Sequence, residues 1–166
     1  MKILTLTQPW ATLMAVGAKH IETRSWRTRY RGPVAIHAAK IFPPDCRALC
    51  LRPGSPILQT LARHGIESLA PLKAVVGHIV AVVDLVDICS TDLDLSLMAA
   101  RSLYGIPDER HFGNYSPGRF AWITRNVRRL ARPIPFRGSL GLRDLPAAVE
   151  AALRLHLERS IVGNTP

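Results

Sequence analysis

The sequence is poor in cysteine and has no long apolar runs, and each of these features excludes a class of protein. Three cysteines in 166 residues are few and odd in number, which predicts a reduced, cytoplasmic protein without structural disulfides. The apolar run 74–83 is interrupted by Gly77 and His78 and is too short to span a bilayer. The opening residues lack the apolar segment of a secretory signal. We therefore expect neither a membrane protein nor a disulfide-stapled secreted domain.

Acidic residues and lysine are also scarce. The chain has 22 Lys and Arg against 12 Asp and Glu, a net charge of +10, and only four of the 22 basic residues are lysines. Arginine presents a planar fork of donors that suits phosphate and that also stacks on bases. A polyanionic partner is one interpretation of this composition, and an arginine-rich proteome is the other.

The charge is unevenly distributed along the chain. Residues 1–40 carry a net +6, residues 84–109 a net −5 and residues 110–143 a net +8. Motifs of phosphate loops, nucleophile elbows and metalloproteases are absent. Cysteine and histidine do not have the spacing of a four-ligand zinc set, so we expect neither a metal nor another cofactor.

Hydrophobic periodicity predicts a mixed fold. Alternating or β-branched segments predict strands, and glycines within the last of these segments predict a bent closing strand: 2–6, 20–26, 34–38, 74–88, 119–124 and 135–142. Helical periodicity or proline starts predict helices over 10–16, 44–51, 57–64, 93–103 and 146–162. We therefore predict an α+β fold, a small curved barrel of five or six strands with inserted helices. It would form one domain over 1–166, with the barrel over about 1–143 and the terminal helix over about 146–162.

The most informative stretch is 8–37, which contains a Gln-Pro-Trp, an Arg-Ser-Trp and an Arg-Gly before the next strand. Within it, the pattern G-x-K-x-x-E-x-R is met by Gly17, Lys19, Glu22 and Arg24. On these residues the chain resembles the ASCH domain family, named for activating signal cointegrator homology, of the PUA-like superfamily. Later segments with Phe-Ala-Trp at 120–122 and Gly-x-x-Gly-Leu at 138–142 are similar to later strands of the same barrel.

This resemblance implies a PUA-like β-barrel with a cleft beside the first helix, where Lys19, Glu22 and Arg24 would lie. Relatives are linked to RNA or nucleic-acid binding, and some to ribonuclease or acylcytidine amidohydrolase activity. The amidohydrolase branch has a threonine nucleophile where this chain has Glu22, and Thr23 would face the opposite side of the strand. Relatives often have tryptophan where this chain has Arg143.

The residue types in this stretch are suited to nucleic acid. A carboxylate such as Glu22 accepts hydrogen bonds from a base amine, whereas Arg24 can grip phosphate or stack on a base. The side chains that we expect at a nucleic-acid site are Lys19, Glu22, Arg24, Trp26, Arg29, Tyr30, Arg31 and His37. Structural roles are the alternative for several of them. Lys19, Glu22 and Arg24 could form a surface salt-bridge cluster, Trp26 could pack in the core, and His37 could be a hydrogen-bonded structural histidine.

The sequence thus predicts a nucleic-acid-binding module that holds single-stranded or structured nucleic acid, with RNA favoured over DNA. The alternative is a hydrolase acting on RNA or on an acylated cytidine, with Lys19 and Glu22 as its acid/base pair. A third interpretation is a protein-interaction domain whose basic face binds an acidic partner. The sequence carries no indication of the oligomeric state.

Overall fold

The computed structural model describes residues 1–92 and 109–162. Within this part of the chain, six strands form one sheet, and five helices and a short 3-10 helix at Glu109–His111 accompany it. In chain order the elements are β1 (Lys2–Leu6), α1 (Trp10–Ala15), β2 (Ile21–Arg24), β3 (Gly32–Ala38), α2 (Pro44–Leu51), α3 (Pro56–Arg63), α4 (Ala70–Ala74), β4 (His78–Ser90), β5 (Phe120–Pro135), β6 (Leu142–Asp144) and α5 (Ala147–Val162).

The sheet is mixed and curls into a half-barrel, which gives the α+β class that the sequence predicts. Its strand order is β2-β5-β4-β3-β1-β6. Strands β1 and β3 run parallel, and the other neighbours are antiparallel. The long strands β4 and β5 shift register at three places, and such irregularities bend a strand pair. Arg24 of β2 crosses the open side of the sheet, since its Nη2 donates to the Thr5 carbonyl of β1 at 3.1 Å.

Alternation along the strands explains why the sheet has a core on each face. Leu4 and Leu6 pack with α1 and with Trp122, and we call this side the inner face. Ile3 lies on the outer face, where the apolar side chains pack against Leu153 of α5. Apolar strand residues on opposite faces each need a cover, and the helices provide it.

A third apolar cluster joins the helices that precede β4. Leu13 of α1 meets Ile57 and Leu61 of α3 and Leu72 of α4, all of them buried. Phe112 belongs to the same cluster, which brings the segment after the 3-10 helix against α1. This packing places that segment beside β2, where it forms one wall of a cleft.

Most predicted elements are confirmed, with ends that shift by a residue or two. The strand predicted over 74–88 begins only at His78, because α4 occupies 70–74 and Gly77 turns the chain with a φ of 74°. The strand predicted over 119–124 continues to Pro135, through a run of arginines that hides its alternation. The helix predicted over 93–103 lies outside the described residues.

The bent closing strand predicted over 135–142 is wrong. Strand β5 ends at Pro135, the chain leaves the sheet, and only Leu142–Asp144 returns to pair with β1. The two glycines in this stretch lie in the loop between β5 and β6 instead. Gly138 lies directly on the His37 ring, where a Cβ would come within 2.8 Å of Thr5 Oγ1, and Gly141 has a φ of 75°.

Candidate functional site

A cleft of about 380 Å³ lies between the end of β1 and strand β2. Thr5 and Thr7 line one side, Glu22 and Arg24 of β2 the other, and Trp10 of α1 also borders it. The segment 111–114 forms a further wall. The cleft therefore opens beside the first helix, where the family resemblance implied a site.

Strand alternation aims Glu22 and Arg24 at this cleft. Glu22 pairs with Trp122 and Arg24 with Phe120 on β5, and directly opposed residues share one face of a sheet. The Glu22 side chain is 13% exposed and the Arg24 side chain 26%. Both charged groups are thus sheltered yet accessible from the cleft, which is the condition for binding a polar ligand in competition with water.

Glu22 sits between two cations. Its Oε2 lies 3.4 Å from Lys19 Nζ, and its Oε1 lies 3.1 Å from Arg24 Nε. The Arg24 Nε–H does not point at the carboxylate, so this contact is an ion pair and not a hydrogen bond. The carboxylate also lines the cleft, where its oxygens can accept hydrogen bonds from a ligand.

Lys19 itself is closed off from the solvent. Its side chain is fully buried, and the ammonium group donates to the carbonyls of Ile21 and of Phe112, the latter at 2.8 Å. Its third polar neighbour is the Glu22 carboxylate, an ion-pair partner at 3.4 Å. The structure therefore places Lys19 behind the cleft, where it fastens segment 111–114 to β2, and does not present it to a phosphate.

Glu109 is a buried site residue that the sequence did not reveal. Its Oε1 accepts from the backbone N–H groups of His20 and Ile21, and Oε2 accepts from the Tyr115 hydroxyl at 3.4 Å. Burial raises the pKa of Glu109, against the opposing influence of Lys19 and of these N–H donors. Its partners lie almost ninety residues earlier in the chain, and no spacing in the sequence connects them.

Gly113 completes this wall because only glycine fits. A Cβ at this position would meet the Tyr115 ring at 2.9 Å and Thr23 at 3.3 Å. The next residue, Asn114, donates its N–H to Thr23 Oγ1 at 3.0 Å. The segment therefore runs against β2 with its backbone, and it brings His111 and Asn114 to the cleft, two polar side chains that the sequence had not singled out.

His37 lies outside the cleft, on the outer face. Its Nε2 donates to the Phe136 carbonyl at 3.0 Å, so Nδ1 accepts from the Thr5 hydroxyl at 3.2 Å. Burial lowers the pKa of His37, which favours this neutral form. The groove beside it, lined by Lys40 and Arg137, is a separate cavity.

Trp26 and Tyr30 are engaged in packing. The Trp26 ring meets Trp122 edge to face at 4.6 Å between centroids, and the Trp26 carbonyl accepts from the Trp122 indole. The Tyr30 hydroxyl donates to the Pro33 carbonyl at 2.7 Å, and burial raises the pKa of Tyr30. Neither ring lines the cleft.

Arg29 and Arg31 lie in the loop that follows β2, together with Arg27. They line a second groove of about 840 Å³ with Ile88 and Phe120. Of the eight predicted residues, the cleft thus brings together Glu22 and Arg24, with Lys19 directly behind them, and the other five lie elsewhere.

The described residues, 1–92 and 109–162, hold no group of three His, Cys, Asp or Glu side chains that converge as metal ligands do. The cysteines are free thiols, and burial raises the pKa of Cys50 to about 11. No helix in this part of the chain is long and apolar enough to cross a membrane.

A curled mixed sheet with a polar cleft beside its first helix defines a class of small PUA-like domains. The family model of the ASCH domain matches residues 4–133, more than three quarters of the chain, and the chain belongs to this family. No curated protein matches the chain significantly.

Solved structures support the same fold. The crystal structure of ASCH from Zymomonas mobilis superposes with a TM-score of 0.52 at 14% identity, covering 93% of each chain. A point mutant of that protein gives a TM-score of 0.53 at 15% identity, covering 93% of this chain and 96% of the other. A second mutant gives 0.51 at 17% identity, covering 93% and 94%. At these identities the likeness concerns the fold alone.

Proposed function

We propose that the chain is a nucleic-acid-binding domain that holds an unpaired nucleotide, with RNA favoured over DNA, in the cleft between β1 and β2. The observation that carries this proposal is the Glu22 carboxylate held between Lys19 and Arg24 in the wall of a cleft. A volume of about 380 Å³ is within the range of small-ligand pockets and suits one nucleoside.

Each exposed group has a task in this proposal. The Glu22 carboxylate accepts hydrogen bonds from the amine edge of a base such as cytosine. Arg24 lies beside it with its guanidinium at the rim, where it contacts the phosphate of the same nucleotide. A base edge is free for such a contact only when the base is unpaired, which favours a single-stranded or looped ligand.

The charge of the chain supports a polyanionic ligand. A net charge of +10 attracts nucleic acid over distances longer than a hydrogen bond and speeds the encounter at low salt. Binding that depends on phosphate contacts must weaken as the salt concentration rises.

The first experiment is fluorescence anisotropy with labelled single-stranded RNA, single-stranded DNA and duplex across a salt series. We expect salt-dependent binding that is tightest for single-stranded RNA. The Arg24→Gln variant should bind more weakly, with the log–log salt slope reduced by about 0.7 for one phosphate contact on a single strand. Glu22→Gln should weaken binding of cytidine-containing probes by about 1–3 kcal/mol relative to other sequences.

The matched controls are Arg132→Gln and Glu67→Gln, which remove the same charges from exposed positions outside the cleft. They should bind as the wild type does, and all variants should melt as folded proteins. Anisotropy that stays flat on all three probes, or equal losses in the controls, would contradict the proposal.

A second candidate is hydrolysis of RNA or of an acylated cytidine. It is favoured by one observation, the 3.4 Å contact between Lys19 Nζ and Glu22 Oε2, which pairs a buried amine with a carboxylate in the cleft. Product formation from single-stranded RNA and from N4-acylated cytidine separates the candidates. Turnover that Glu22→Gln abolishes while binding persists favours the hydrolase, and binding without turnover favours the binding domain.

A further inference from the structure

The groove lined by the arginines of the loop after β2 combines positive charge with two apolar side chains. Arg27 and Arg29 are exposed, and neither forms an ion pair with any described residue. Arg31 is partly neutralised, since its Nη2 lies 3.6 Å from Asp87. Ile88 of β4 and the half-buried Phe120 of β5 line the same groove. Guanidinium groups and an aromatic ring that line one groove are a combination that anionic, stacking ligands satisfy.

Strand register connects this groove to the cleft. Phe120 is paired with Arg24 on one side and with Ser90 on the other, so the three side chains form a row on one face of the sheet. Directly opposed Cβ atoms lie about 5 Å apart. Phe120 is therefore the immediate neighbour of the cleft residue Arg24, and a chain-like ligand leaving the cleft past Arg24 meets the ring next.

The cleft and the groove together fit a single-stranded nucleic acid and not an isolated nucleotide. The cleft has one carboxylate for one base edge, and its volume suits one nucleoside. The groove of about 840 Å³ adds a ring for a second base and two cations for the phosphates that follow. Every base offers a flat face for stacking, so the second position accepts any base.

From this arrangement we infer that the ligand is a single strand of at least two nucleotides that passes over Arg24. One base lies in the cleft, the next stacks on Phe120, and its flanking phosphates contact Arg27 and Arg29. This inference rests on the proposed function, since it extends the same site.

The test measures affinity against ligand length. Cytidine monophosphate, the cytidine dinucleotide and the cytidine hexanucleotide compete with a labelled oligocytidylate for the wild-type protein. We expect the dinucleotide to bind about tenfold more tightly than the mononucleotide, because it adds one stacked base and one phosphate contact. In Phe120→Leu, an apolar replacement without the ring, this gain should shrink about fivefold while binding of the mononucleotide is unchanged.

The double variant Arg27→Gln/Arg29→Gln should lower the salt slope for the hexanucleotide by about 1.4, as expected for two lost phosphate contacts. Its matched control is Arg129→Gln/Arg132→Gln, which removes two exposed arginines from the other end of β5. The control should leave the slope unchanged.

The two levels of the proposal fail in different ways. A hexanucleotide that does not bind overturns the proposed function and this inference together. Binding that is equally tight for the mononucleotide and the hexanucleotide, or equal losses in both double variants, overturns the inference alone. An oligoglutamate of equal charge that competes as well as the hexanucleotide also overturns it, because the groove would then be a general anion surface.

Discussion

Two buried polar networks, one at strand β2 and one on strands β1 and β3, differ in charge. The charged network consists of Lys19, Glu22 and Glu109 beside the cleft. The neutral network consists of Thr5, His37 and the Phe136 carbonyl on the outer face. Both fasten a distant segment to the sheet by hydrogen bonds, the first 109–115 and the second 136–141. Both networks hold a distant segment against the sheet, but only the charged network also places an ionic side chain, Glu22, in the wall of the cleft.

The two networks also differ in the free energy that is lost when one of their members is removed. A buried ammonium group among carbonyls stabilises the fold only while every partner is in place, because an unpaired buried charge or carbonyl loses its solvation without compensation. A neutral histidine between a hydroxyl and a carbonyl carries a smaller penalty when it is disturbed. Three experiments test this difference, and they are arranged by the expected size of the effect.

The largest effect is expected from Lys19→Met, which keeps an unbranched apolar side chain as far as Cε and removes the ammonium group. The carbonyls of Ile21 and Phe112 lose a donor, and Glu22 loses a cation. We expect the free energy of unfolding to fall by about 3–5 kcal/mol. Urea denaturation measures it.

The exposed Lys40→Met is the control for Lys19→Met, and it should change stability by less than about 0.5 kcal/mol. If the two methionine variants were equally stable, the charged network would contribute nothing to folding.

A smaller effect is expected from Gly138→Ala in the neutral network. The added methyl group collides with the His37 ring and with Thr5 Oγ1, so the loop must move away from the sheet. Overpacking of this kind costs about 1–3 kcal/mol. Thermal melting compares it with Ser139→Ala, the exposed neighbour, which should melt as the wild type does. An unchanged melting temperature in Gly138→Ala would mean that the loop does not depend on close contact with His37.

The smallest effect is a difference in pH dependence between Glu109→Gln and His37→Gln, each measured against the wild type. Burial raises the pKa of Glu109, so the folded state holds its proton more tightly, and the Glu109 contribution to stability falls as the pH rises from 4.5 through the folded pKa. Burial lowers the pKa of His37, so its contribution is present above pH 6.5 and is lost as the pH falls towards the folded pKa.

Denaturation at a series of pH values measures the difference in the free energy of unfolding between the wild type and each variant. This difference should change with pH in opposite directions for Glu109→Gln and His37→Gln. The Glu109→Gln variant removes the fall above pH 4.5, and His37→Gln removes the loss below pH 6.5. Slopes of the same sign would contradict the direction of one of these two pKa shifts.

Local patterns in the sequence predict local structure well in this chain. Alternation placed Glu22 and Arg24 on one face of a strand, and the structure pairs both with inner-face residues of β5. The helices predicted over 44–51 and 57–64 are confirmed as α2 and α3, the second shifted by one residue. The error at 135–142 arose because glycine marks both bends in strands and loops that lie close to a side chain, and only the three-dimensional neighbour of Gly138 distinguishes them.

The composition of the site was harder to predict than its position. The burial of Lys19 depends on the carbonyl of Phe112, and that of Glu109 on the backbone of His20, and both contacts join segments far apart in the chain. The neighbour relation between Arg24 and Phe120 is equally distant in sequence. Periodicity reports which way a side chain faces along its own strand and carries no information on what a distant segment brings to it.

Among the described residues, no hydrogen bonds between strands join the two ends of the sheet, and this has a consequence for how copies of the chain behave towards one another. Strands β2 and β6 stand at the two ends of the strand order, and they are four and three residues long. Both carry charged side chains, Glu22 and Arg24 on one and Arg143 and Asp144 on the other. Short, charged edges resist pairing with the edge of another molecule. The ionic side chains that make the cleft polar thus also discourage sheet-to-sheet aggregation along β2.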